Sequence, residues 1–91
     1  MYRRLDREPG LRKIHDALGL DGSHPFESTY MEKALSKLLP WEKRVIEKRY
    51  IRGRTVEQTS GSENIPIWAM ESVESGIIGK LGNLCKYPWM L

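Results

Sequence analysis

Cys85 is the chain's single cysteine, so no internal disulfide can staple the fold. A small protein without staples fits a reducing compartment, and a cytoplasmic location is expected. No apolar run approaches a membrane span, and the N-terminus lacks the apolar centre of a signal peptide, so no membrane partner is expected. Phosphate-cradling glycine motifs and nucleophile elbows are missing. His15 and His24 stand nine positions apart with no clustered ligands around them, which argues against a metal site. Cys85 has no nearby histidine and reads as a small buried apolar residue. The expectation is a chain that is not an enzyme, with no catalytic residue, cofactor or metal.

A second scarcity is local. Residues 55–79 contain Glu57, Glu63, Glu71 and Glu74 and no lysine or arginine. The positive charge sits on either side. Residues 1–13 carry Arg3, Arg4, Arg7, Arg12 and Lys13 against Asp6 and Glu8, and residues 40–54 carry Lys43, Arg44, Lys48, Arg49, Arg52 and Arg54 against Glu42 and Glu47. The net charge of +3 permits an acidic partner without demanding one. Ninety-one residues, 40% hydrophobic and 30% charged, make one small globular domain with a thin stability margin.

The apolar spacing is helical throughout. Residues 1–8 are polar and basic, and Pro9-Gly10 is expected to break whatever precedes it. Leu11, Ile14 and Leu18 mark a short helix capped by Gly19. A loop with His24 follows at 21–25, and Phe26, Tyr30, Ala34, Leu35 and Leu38 mark a second helix starting near Glu27 or Ser28. Pro40 suits the first position of a third, with Trp41, Val45, Ile46 and Tyr50 as its apolar stripe and Gly53 as its end. Thr55-Val56-Glu57-Gln58 fits a capping box, which opens a short helix over about 56–62. Asn64 supplies the turn, and Pro66 opens a long helix whose core face is Met70, Val73, Ile77, Leu81 and Leu84. The expected architecture is all-α: a bundle of four to five short helices containing a helix-turn-helix. It divides into a basic N-terminal arm and short helix (1–25), the helix-turn-helix domain (26–86) and an apolar tail (87–91).

Residues 39–81 resemble region 4 of bacterial sigma factors and the related regulators of phages and prophages. Leu39, Pro40, Lys43 or Arg44, Val45 and Ile46 match its opening. Lys48-Arg49-Tyr50, Gly53 and Thr55-Val56-Glu57-Gln58 match its second block. Asn64-Ile65-Pro66, Met70, Val73-Glu74 and Ile78-Gly79-Lys80-Leu81 fall on its third block without a gap. The chain departs from the pattern at Thr59 and Glu63, where the family places Ile and Leu. It departs again at Ile67, Trp68, Glu71 and Ser72, where the family places basic and polar residues. Nothing before residue 39 resembles the other sigma regions, so a complete sigma factor is not expected.

The resemblance implies a DNA-binding transcriptional regulator whose last helix reads double-stranded DNA in the major groove. The base-facing candidates are Ile67, Trp68, Glu71, Ser72 and Ser75: Ile67 for a thymine methyl, Glu71 for a cytosine amino group. Phosphate candidates are Arg44, Lys48, Arg49, Arg52 and Arg54, with the solvated face of an amphipathic helix as the plain alternative. The missing cations on the reading helix motivate a second expectation, a protein-interaction module. It would mimic region 4 and bind RNA polymerase, a sigma factor or a second copy as a homodimer. A phage packaging or assembly component on the same fold is a third. Trp68 and the tail Trp89-Met90-Leu91 can each complete the core or dock a partner.

Overall fold

The computed structural model describes residues 3–20 and 25–87; the expected loop around His24 and the tail residues from 88 onward lie outside them. The protein is all-α, with no strand among the described residues. Five α-helices follow in order: α1 (Arg3–Ala17), α2 (Ser28–Ser36), α3 (Pro40–Ile46), α4 (Val56–Glu63) and α5 (Ile67–Lys86), with a π-helical turn over Glu47–Ile51 continuing α3.

Most boundaries follow from local chemistry. Thr55 Oγ1 accepts from the Gln58 N–H at 3.0 Å, and Gln58 Oε1 accepts from the Thr55 N–H at 2.9 Å, so the capping box starts α4 as its sequence requires. Asn64 ends α4 in the left-handed region at φ 57°, a conformation that asparagine enters at low cost. Pro66 precedes α5, which is the longest element at 20 residues. The α4–turn–α5 unit is a helix-turn-helix. Its turn is locked twice: the Ile65 N–H donates to the Ser60 carbonyl at 3.1 Å, and Ser60 Oγ donates to the Ile65 carbonyl.

Two expectations need correcting. Pro9-Gly10 does not break the chain, since α1 runs through both. Gly10 is fully enclosed, and a Cβ there would lie 2.6 Å from Ile51 Cα and 2.7 Å from the Tyr50 carbonyl oxygen. Its missing side chain lets α1 touch the π-turn backbone to backbone, so tertiary contact overrides the local helix-breaking tendency. The helix expected from Pro40 to Gly53 is also not one α-helix. It changes to π hydrogen bonding at Glu47, the Arg52 N–H donates to the Glu47 carbonyl at 2.9 Å, and Gly53 then leaves at φ 68°. An inserted residue of this kind turns side chains relative to the preceding α-helix.

The core belongs to every helix except α4, which supplies the buried polar residues Thr59 and Ser60. Leu11 and Ile14 of α1 are fully buried with Met31, Ala34 and Leu35 of α2, Val45 and Ile46 of α3, and Met70, Ile77 and Leu81 of α5. Through Leu11 and Ile14, α1 therefore contributes to the same core as the other helices. Cys85 is buried in that core, and burial pushes its thiol pKa up. Val73 and Leu84 pack at its margin. Trp41, expected on the core stripe of α3, is 39% exposed, and Glu42 takes the inward place beside it.

Gly10→Ala is expected to destabilise the protein by about 1–3 kcal/mol, because overpacking against rigid backbone outweighs alanine's better helix propensity. Gly76→Ala in α5, where the added Cβ meets nothing within 4 Å, is expected to stabilise by roughly 0.5–1 kcal/mol. Urea denaturation followed by circular dichroism measures both, and an equal response at the two sites would refute the close-approach account.

Candidate nucleic-acid interface

The five base-facing candidates all lie on the solvent side of α5. Successive helical residues rotate by about 100°, so Ile67, Trp68, Glu71, Ser72 and Ser75 fall within one sector of the helix. All five are exposed, Trp68 at 85% and Ile67 at 56%. Met70, between them in sequence, and Ile77, just beyond, point to the core. Beside this face runs an open groove of about 500 Å³, whose walls include Tyr50, Ile67, Met70, Glu71, Ser75 and Ile78. Trp68 therefore does not complete the core, since one large indole is left almost wholly in water.

The phosphate candidates divide into two groups. Arg44 Nε lies 3.1 Å from both oxygens of Glu63, and Lys48 Nζ reaches the same carboxylate at 2.6 Å and Ser62 Oγ at 2.8 Å. Arg49 Nε donates to Glu74 at 3.0 Å and its Nη1 to the Arg54 carbonyl at 2.6 Å. These three cations are committed to carboxylates of α4 and α5. Arg52 and Arg54 are exposed and form no ion pair among the described residues. They flank the loop that enters α4, whose shape is held by the Arg54 N–H donating to the Lys48 carbonyl at 2.8 Å.

Glu63 and Thr59, the two departures from the sigma pattern on α4, both point inward. Thr59 is fully buried, and its hydroxyl donates to the Thr55 carbonyl at 3.0 Å. The Glu63 side chain is only 6% exposed. Its hydrogen bond from Arg44 holds its carboxyl below the usual range; burial opposes this and Lys48 reinforces it. An anion in the last turn of a helix opposes the helix dipole, and the two cations reverse that penalty.

Three more ion pairs, one at Glu42 and two at Arg7, position the site from behind. Burial alone would raise the Glu42 carboxyl, but Lys80 Nζ at 2.8 Å and the Leu39 N–H at 3.0 Å bring it below the usual range. That contact ties the start of α3 to the middle of α5. Arg7 of α1 donates to both oxygens of Glu32 on α2, at 2.8 and 3.0 Å, and to Glu47 of the π-turn at 2.8 Å. The Glu32 bond raises its pKa further, burial opposes, and Glu47 adds to the rise. Sequence reasoning missed these roles because the partners stand 15 to 40 positions apart, beyond any helical spacing rule.

Comparison with protein-family models, curated proteins and solved structures returned no match.

Both depressed carboxyls tie stability to pH. Unfolded glutamates take up protons near pH 4.5, above the values that Glu42 and Glu63 have in the fold. Their contribution is complete above that pH and is lost as the pH falls through the folded values. Urea midpoints measured on a falling pH series should drop below about pH 4.5. Glu63→Gln should lower the midpoint at neutral pH and flatten that decline; a decline as steep as the wild type's would remove Glu63 from the account.

Proposed function

We propose that the protein is a DNA-binding transcriptional regulator of the sigma-region-4-like kind found in phages and prophages. Its α5 N-terminal half reads the major groove, and Arg52 and Arg54 grip the phosphate backbone. The observation that carries this reading is the exposure of Ile67, Trp68, Glu71, Ser72 and Ser75 on one face of the second helix of a helix-turn-helix. That helix presents its N-terminal residues to base edges in such motifs. Ile67 offers an apolar contact to a thymine methyl, the serines accept or donate, and Glu71 accepts from a cytosine amino group. No cation on this face can read guanine or hold a phosphate. Affinity therefore comes from the loop before α4, and the expected sites are poor in direct guanine contacts.

One observation favours a second reading. An indole 85% exposed beside Ile67, in a stretch without cations, also suits an apolar protein partner. In that reading the same face docks on RNA polymerase, a sigma factor or a second copy.

Polarisation titration of a labelled duplex library separates the two. In the first reading the wild-type chain binds at low salt, Arg52→Gln lowers the slope of log K against log salt by about 1, and Trp68→Ala weakens the selected site about tenfold. Absence of binding to every duplex, together with Trp68-dependent capture of purified RNA polymerase or sigma factor, would replace it with the second.

A further inference from the structure

We infer that Glu63 holds an extension of the polyanion-binding surface at partial strength: a basic ridge running from Arg52 to Arg44 and Lys48, whose last two cations this one carboxylate occupies. The inference rests on the DNA-binding reading and adds two cations, Arg44 and Lys48, and a controlling residue that the reading itself does not require. Arg44, Lys48 and Arg52 line one shallow cleft of about 100 Å³, together with Glu47. Glu47 is drawn away by Arg7, so its charge is already balanced from α1. Across the ridge Glu63 takes up both remaining cations, Arg44 through Nε and Lys48 through Nζ.

The two tethered cations differ in a way that matters. The Arg44 side chain is 55% exposed even while paired, and Lys48 is 18% exposed. An exposed guanidinium holding a carboxylate exchanges readily for a phosphate oxygen, because a solvent-facing ion pair is weak. Lys48 is held more firmly, by Ser62 as well as Glu63. The carboxylate has no comparable freedom. It is buried at the end of α4, and leaving it without cations would strand a charge in a poorly solvated place. A phosphate approaching the ridge must therefore compete with Glu63 and is repelled by it. Glu63 lowers the number of counterions the ridge releases on a polyanion, and with it the affinity and the salt dependence.

Glu63→Gln tests this, since glutamine keeps the shape and removes the charge. Titrated against a labelled mixed-sequence duplex at about 50 to 200 mM salt, the variant should bind about tenfold more tightly at the low end. Its slope of log K against log salt should steepen by about 1 to 2. Wild-type binding with no gain in the variant would overturn the inference and leave the DNA reading standing. Absence of binding by both chains would overturn the two together. Should circular dichroism show that Glu63→Gln does not fold, Arg44→Gln and Arg52→Gln in the wild-type chain decide. The tethered Arg44 should cost less than half the change in slope that the unpaired Arg52 costs, and equal losses would overturn the inference.

Discussion

Backbone meets backbone where α1 crosses the π-turn, and the rest of the molecule depends on that contact. A chain of 91 residues with one cysteine has no covalent staple and needs each apolar side chain it can enclose. Gly10 lets α1 approach closely enough for Leu11 and Ile14 to reach the core, and Arg7 holds the same crossing at its rim. A fully buried Leu or Ile contributes on the order of 1.5–3 kcal/mol, against about 1 kcal/mol or less for a solvent-facing ion pair. The packing therefore sets the stability, and the Arg7 bonds set the register in which it is reached. Through the π-turn, that register also fixes where Arg49, Arg52 and Arg54 stand.

Much of this was legible from neighbouring residues. Thr55 with Gln58, Asn64, Gly53, Pro40 and Pro66 act through bonds and dihedral angles within a few positions, so their structural meaning is carried locally. The outward face of α5 was legible for a related reason: the spacing of Met70, Ile77 and Leu81 fixes which side of the helix is left over. Pro9-Gly10 was misleading because its local preference is real but is outweighed by a partner 40 positions away. The state of the cations was not legible at all. Whether Arg44 is free for a phosphate depends on Glu63, nineteen residues on, and no periodicity joins them.

Thr59 and Glu63 show how α4 is attached through polar side chains. The threonine folds its hydroxyl back onto its own helix, and the glutamate recruits cations from the π-turn and α3. Polar groups at such depth stay only when they are fully partnered, and no buried polar side-chain atom among the described residues lacks a partner. The junction between α3 and α4 is thus held by the ion pairs of Glu63, and it weakens with acid and salt while the core does not.

The separation of charge along the chain has a consequence at long range. Among the described residues, Arg52 and Arg54 before α4 form no ion pair, nor do Glu57 in α4 and Glu71 in α5, so the helix-turn-helix carries its own electric dipole. In the field of any polyanion such a body feels a torque before it feels a contact, over distances near the roughly 8–10 Å Debye length of physiological salt. In the DNA-binding role proposed above, gripping and reading would then be successive events: the first fast and indifferent to sequence, the second a short-range step that only shape and apolar fit can reward.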